Sequence, residues 1–222
     1  MTFADRLAGN LRAARSAPVA VVLLVAANLV PLVGVLFLGW HVATILILYW
    51  LENGIVGALN VVRIVAAQRP DQNGQASTAA KIGLAAFFAV HYGIFWVVHG
   101  VFVFVLTSGI TGFGNLAPTA LVDAEPSLLL AALALLISHL ASLIFNYFGK
   151  GEFQSVSAAS QMFLPYPRMV VLHLTIIFGA VFVIGLGQPV LLLVLLVLFK
   201  TIADLGLHVL ERGRYQRPLT TV

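Results

Sequence analysis

Six histidines, two carboxylates and a lysine raise the chemical question in this sequence. Five of the histidines, His91, His99, His139, His173 and His208, fall inside long apolar runs, together with Glu52, Asp204 and Lys200. Imidazole and carboxylate are ligands for zinc, iron, copper or manganese. A catalytic zinc takes about three such ligands and keeps one position open. Asp204 and His208 stand at i, i+4, so on a helix they share one face and could reach one ion. His173, His139 and His91 complete the candidate ligand set. Glu52 would then stand behind the ligands or act as general base. No HExxH or HxxxH occurs, so the metal reading rests on placement rather than on a spacing signature. The same side chains could equally form a proton relay.

The segments that must position these groups are apolar. The chain of 222 residues is 61% hydrophobic and only 9% charged, with a mean hydropathy of +1.04. An ordinary soluble domain carries about 25% charged residues. Runs of roughly 20 apolar residues recur along its length, which predicts an integral membrane protein. The runs lack period-two alternation, so helices rather than barrel strands are expected. Six spans are predicted, at about 19–38, 42–64, 82–106, 127–148, 169–186 and 190–210. The chain carries no cysteine, which removes disulfides, thiolate catalysis and Cys-bound metals from consideration.

Lys and Arg alternate with the spans. Arg6, Arg12 and Arg15 precede the first; Arg63, Arg69 and Lys81 separate the second from the third; Lys150 and Arg168 separate the fourth from the fifth; Arg212, Arg214 and Arg217 follow the sixth. The intervening connections, around Gly39, Thr107–Pro126 and Gly187, carry none. This distribution places both termini in the cytoplasm and the protein in a bacterial inner membrane. The net charge of +4 therefore reports topology and gives no reason to expect nucleic acid. Residues 1–17 are expected to form an interfacial amphipathic helix, with Phe3, Leu7 and Leu11 on one face, rather than a cleaved signal peptide. Residues 18–212 form the six-helix domain, and 213–222 a cytoplasmic tail. The more polar segment 151–167 is expected to be a cytoplasmic loop or a short in-plane helix broken by Pro165 and Pro167.

Counting from the basic edge gives depth. Glu52 lies 11 residues before Arg63, His91 lies 10 after Lys81, and His139 lies 11 before Lys150. At ~1.5 Å per residue each is roughly 15 Å from that edge, near a bilayer midplane. Asp204, His208 and His173 are expected in the inner half, with Arg168 at the inner edge and His99 further out. A charge at such depth costs about 2.5–3.5 kcal/mol, so Glu52 should face a histidine, a cation or water inside the bundle. His139, Ser142 and Asn146 form a polar stripe on span four, and Lys200, Asp204 and His208 another on span six. Asn53 and Asn146 are expected as interhelical glue.

The strings YWLEN (49–53), HYGIFWVVHG (91–100), SH (138–139), NYFGKGE (146–152), PYPR (165–168) with His173 five residues on, and KTIADLGLH (200–208) together resemble a bacterial membrane-protein family known only as a domain of unknown function. The resemblance covers about residues 45–210. It implies that Glu52, Asn53, His91, His99, His139, Arg168, His173, Lys200, Asp204 and His208 are the family's motif residues. A more distant analogy is to seven-helix zinc hydrolases of the ceramidase and adiponectin-receptor type, which carry HxxxH in the last helix; this chain has six predicted spans and DxxxH.

The expectation from sequence is an all-α membrane bundle with an intramembrane His/Asp metal site. The ligands are His91, His139, His173, Asp204 and His208, the ion is zinc, with iron or copper next, and the protein acts on a lipid or small apolar substrate among membrane lipids. The alternative is a proton-coupled permease using the same residues; a third reading is a scaffold subunit that works with a partner.

Overall fold

The computed structural model describes residues 18–71, 74, 76–111, 126–180, 182 and 185–215. It is helical throughout, and the β-type pairing among the described residues is a lone Asp71–Gly74 bridge. In chain order the helices are α1 (Pro18–Phe37), α2 (Val42–Ala66), α3 (Thr78–Thr111), α4 (Pro126–Ala141), α5 (Ala158–Phe163), α6 (Tyr166–Ala180) and α7 (Pro189–Tyr215). Between α4 and α5 come a π-helical turn, Ser142–Phe148, and a 3-10 turn, Glu152–Gln154. The expected amphipathic helix at 1–17, most of the Thr107–Pro126 connection, and the expected tail from 216 on lie outside the described residues.

Four segments are long and apolar enough to cross a membrane: Val42–Ala66, Thr78–Thr107, Leu128–Phe148 and Ala158–Gly179. Asn28–Phe37 and Pro189–Ala203 are shorter apolar helices. The distribution of polarity agrees with a lipid surround. Leu130 is 70% exposed and Phe145 69%, whereas Asn53 is 0% and Asn60 2%. A water-soluble core has the reverse arrangement.

α2 is the central helix, touching α3, α4, α5, α6 and α7. Its buried side chains include Val42, Leu46, Tyr49, Asn53, Gly57, Asn60 and Ile64. They recur every three or four residues, a seam along one helix face. One apolar cluster sits at the start of α2, with Leu46, Val103, Leu172 and Leu196. A second sits at its end, with Ile64, Phe88, Ala158 and Met162. We call the latter the basic end, because Arg63, Arg69 and Lys81 lie there. Between the two clusters α2 presents Glu52 and Asn53.

α2 and α3 are held by a reciprocal tryptophan clasp. The Trp50 indole donates to the Trp96 carbonyl at 2.9 Å, and the Trp96 indole to the Trp50 carbonyl at 3.0 Å. The rings stack with centroids 4.6 Å apart. Each ring lies on a glycine of the other helix: a Cβ on Gly54 would stand 2.7 Å from Trp96, and one on Gly100 2.7 Å from Trp50. The segments YWLENG (49–54) and FWVVHG (95–100) thus play matching parts in antiparallel directions. Their fifth residues match too. Asn53 Nδ2 donates to the Tyr49 carbonyl at 2.8 Å, and His99 Nδ1 to the Phe95 carbonyl at 2.6 Å.

Of the two forms expected for 151–167, a loop or a short helix broken by Pro165 and Pro167, the structure has the short helix, packed along α2. Gln68 N donates to Phe153 O and Arg69 N to Val156 O. Ser157 caps α5, its hydroxyl accepting from Ser160 N. Gln161 and Asn60 exchange two bonds, Gln161 Nε2 to Asn60 Oδ1 at 2.7 Å and Asn60 Nδ2 to Gln161 O at 3.2 Å. Residues 153–168 therefore climb alongside α2 from the level of Gln68 towards Glu52. Helix α5 stops at a Leu164–Pro165 turn, and α6 begins at Tyr166. Pro165 and Pro167 lack the amide hydrogens a continuous helix would need, and Pro167 sits in the first turn of α6, where none is required. The result is a broken helix, with α5 packed on α2 and α3.

Candidate functional site

The break in the fifth segment brings Arg168 to the polar layer. Its Nη1 donates to Glu52 Oε1 at 2.7 Å. His139, on α4, donates Nε2–H to the same oxygen at 3.2 Å. Arg168 is thus level with Glu52 and not at the basic edge. The Lys and Arg count makes it a topological marker; the course of 153–165 along α2 displaces it. All three side chains keep limited access, Glu52 being 15% exposed, His139 22% and Arg168 25%. Glu52 so finds both a histidine and a cation as partners.

Two further histidine contacts flank this centre. Towards the basic end, His91 Nδ1 meets the Tyr166 hydroxyl at 2.8 Å. Towards the opposite end, His99 Nε2 meets His173 Nδ1 at 2.9 Å. Because His99 Nδ1 is committed as donor to Phe95 O, neutral His99 accepts at Nε2 and His173 Nδ1 donates. That leaves His173 Nε2 as the basic nitrogen of the pair. His91, Phe95 and His99 lie at i, i+4, i+8 on α3, with neighbouring rings in contact. Tyr166, Arg168 and His173 rise along α6 in the same order. The three contacts therefore form a file along the bundle, whose His91-to-His99 rise is about 12 Å.

The other expected residues fall as follows. Asn53 is fully buried; Tyr92 donates its hydroxyl to the Asn53 carbonyl at 3.2 Å, and the Asn53 Oδ1 has no hydrogen-bond partner among the described residues. Asn146 Nδ2 donates to Ser142 Oγ at 3.5 Å within the π-helical turn, one turn beyond His139. Lys200 Nζ donates to Asn28 Oδ1 at 2.9 Å, tying α7 to α1. The side chains of Asp204 and His208 lie outside the described residues. His41 is exposed at the start of α2.

Among the described residues no group of three or more His, Asp or Glu side chains could hold a metal ion. The expected ligands His91, His139 and His173 are not drawn to one point; each has its own partner. The His99–His173 pair, unanticipated from sequence, comes nearest to a ligand pair. Also unanticipated were Tyr166 as partner of His91 and the Trp50–Trp96 clasp. The clasp had a signal in the two hexapeptides of identical aromatic–Trp–x–x–polar–Gly form.

With the geometry in hand, comparison with known proteins assigns the family. The chain belongs to a family of unknown function, DUF6498, whose model matches residues 10–221. No curated protein and no solved structure matches it.

Proposed function

We propose that this chain is a proton-coupled permease of the bacterial inner membrane, with Glu52 as its proton-binding group and Arg168 as the cation that protonation of Glu52 releases. The observation that carries the reading is the file of paired titratable groups, His91–Tyr166, His139–Glu52–Arg168 and His99–His173. Ionisable groups within apolar spans are costly and mark ion or proton pathways. Here the pairs follow one another along the bundle. A broken helix that starts its second half beside the charged centre is also a recurrent device of membrane transporters. In this reading six helices span the membrane, α1 and α7 included, and the Lys and Arg distribution puts both termini in the cytoplasm.

The cycle is simple in charge terms. With Glu52 ionised, Arg168 is neutralised. When Glu52 takes a proton, that ion pair breaks, and Arg168 loses the Glu52 contact. Reconstituted protein should move protons when a pH gradient and substrate are both present. Glu52→Gln should abolish the coupled movement, and His41→Ala should leave it intact. Coupled proton movement unchanged in Glu52→Gln would refute the proposal.

One observation favours a second reading, an intramembrane metal enzyme acting on a lipid or apolar substrate. The nitrogens of His99 and His173 stand 2.9 Å apart. Two nitrogens bound to one tetrahedral zinc at about 2.0–2.1 Å are separated by about 3.3 Å, so the pair would need to open by only a few tenths of an ångström. Asp204 and His208 would complete the ligand set, and the ion would supply Lewis acidity. Under this reading His173→Ala, Asp204→Ala and His208→Ala each remove most of the bound metal, and double variants lose little more. Metal-free wild-type protein that retains proton coupling would exclude it.

A further inference from the structure

Resting on the permease reading, with the basic end cytoplasmic, we infer that Glu52 receives its proton from the cytoplasm along a water-lined track that passes Arg63, Asn146 and Ser142, and that the opposite end of the bundle is shut in this conformation. The track ends at the charged centre. His139, Ser142 and Asn146 stand at i, i+3 and i+7, on one side of their segment and over roughly 10 Å of it. His139 meets Glu52 at 3.2 Å, and Asn146 Nδ2 donates to Ser142 Oγ at 3.5 Å. Ser142 and Asn146 are half-buried. On α2, Glu52, Val56 and Arg63 stand at i, i+4 and i+11 and share a face. Tyr147 ties the two lower ends together. Its hydroxyl donates to the Arg63 carbonyl at 2.6 Å, and the Arg63 guanidinium lies 5.4 Å from the centre of its ring.

Two observations point to water along this side. Arg63 Nε is buried and has no hydrogen-bond partner among the described residues; a buried donor needs one, and ordered water supplies it where protein does not. Ser142 and Asn146 share the π-helical turn with Ile144 and Phe145, which are 56% and 69% exposed. The segment thus turns one apolar face to lipid and one polar face away from it, and polar groups at such depth face a bundle interior or a water-filled space. A π-helical turn set into a longer helix is itself frequent at functional sites. The other end is built differently. Beyond the His99–His173 contact, Leu46, Val103, Leu106, Ile176 and Leu192 pack together, none more than 6% exposed, and Thr107 is 2% exposed. That cluster gives a proton no carrier.

The transfer balances. Neutral His139 donates Nε2–H to Glu52, so its Nδ1 is the accepting nitrogen. Nδ1 takes a proton from the water file, Nε2 gives its own to Glu52 Oε1, and the imidazole ends neutral in its other tautomer. The water file passes one proton along and is restored from the cytoplasm. One positive charge enters, and Glu52 becomes neutral.

The chain has no cysteine, so single cysteines report water access directly. Full-length variants in inverted and right-side-out membrane vesicles are treated with a charged, membrane-impermeant methanethiosulfonate. Lys150→Cys, at an exposed position, marks the side of the basic end. Ser142→Cys and Asn146→Cys should react from that same side, at least ~tenfold faster than the lipid-facing Ile144→Cys and Phe145→Cys. Thr107→Cys should react from the opposite side at least ~tenfold more slowly than Asn146→Cys does from its own. Modified Asn146→Cys should lose ~tenfold or more of the coupled proton movement, and modified Lys150→Cys should keep it. Equal reaction at all four positions of the turn, or none at Ser142→Cys and Asn146→Cys, would overturn the track. Thr107→Cys reacting as fast as Asn146→Cys would overturn the closed end. Coupled movement unchanged after full modification of Asn146→Cys would overturn the route. Labelling requires neither gradient nor substrate, so those failures leave proton coupling through Glu52 to its own test. The expected labelling in a wild type that moves no protons would instead sink the permease reading, and the proton route with it.

Discussion

Replacing Glu52 separates the value of its charge from the value of its shape. At 2.7 Å and an effective dielectric near 20, the Glu52–Arg168 attraction is roughly 6 kcal/mol gross. Desolvation of both ions offsets much of that. What decides the outcome is the group left behind. Breaking a buried pair by removing one partner costs about 3–5 kcal/mol, because the other charge stays buried. Arg168 is 25% exposed, which puts Glu52→Leu at the lower end, about 3 kcal/mol. Glu52→Gln keeps a carbonyl oxygen for Arg168 Nη1 and loses only the charge, so its cost should be about half. Glu52→Leu combined with Arg168→Leu should recover ~2 kcal/mol relative to the sum of the single changes. Equilibrium unfolding of the purified protein in mixed micelles, titrated with a denaturing detergent, measures all of these. Stabilities of Glu52→Gln and Glu52→Leu within ~0.5 kcal/mol of each other, or strict additivity in the double variant, would refute the claim that Glu52 neutralises Arg168.

The clasp makes a contrast between glycines of α3 and its neighbour. Gly54→Ala and Gly100→Ala should each cost about 1–3 kcal/mol, since a Cβ meets an indole ring at 2.7 Å, whereas Gly83→Ala, with nothing within 4 Å, should stabilise by ~0.5–1 kcal/mol; the same unfolding titration checks both signs. Asn60→Ala and Gln161→Ala should each cost about 1–3 kcal/mol by leaving a buried amide unpaired, and the double variant should cost less than their sum. Hydrogen exchange should show α5 losing protection in each of these variants, and full protection of α5 in Gln161→Ala would count against its anchoring role. Reporter fusions at either terminus should be active only as cytoplasmic reporters, and a periplasmic signal from one of them would require an odd number of spans.

Much of the helical framework can be read from composition. The apolar runs about 42–64 and 82–106 correspond to α2 (Val42–Ala66) and α3 (Thr78–Thr111), because a helix satisfies every backbone group in lipid within its own segment and the runs lack the alternation of barrel strands. The need of Glu52 for an internal partner was legible from its cost. The partner set was less so. Treating each Lys and Arg as a marker of the basic edge put Arg168 about eleven residues too shallow relative to Glu52, and it carried His173 to the wrong depth. Polarity left 151–167 open between a loop and a short helix broken at Pro165 and Pro167, and could not show what Ser157 and Gln161 meet. Their polar atoms are matched inside the bundle, Gln161 with Asn60 and Ser157 with the start of α5. Pairing across helices is invisible to a reading that measures only how polar a segment is. The tryptophan clasp was visible, but only to a comparison of two hexapeptides running in opposite directions.

The polar pairing at the basic end and the charged centre are one construction. An interrupted helix exposes backbone groups, which lipid does not tolerate. Here the interruption is covered on α2 and α3, and its carbonyls are used: Gln161 O accepts from Asn60, and Pro165 O accepts from the amides of Arg168 and Met169. Asn60 thereby fixes where α5 ends, the two prolines fix where α6 begins, and the first turn of α6 carries Arg168 to Glu52. An unbroken helix through the same residues would have to supply amide hydrogens that Pro165 and Pro167 lack. The break therefore does more than end a segment. It sets the depth of the guanidinium that Glu52 meets. A charged pair whose cation sits just beyond such a break is suited to opening when its carboxylate is protonated. That is the physical reason the pair, rather than the histidines alone, is placed at the centre of the proposed transport cycle.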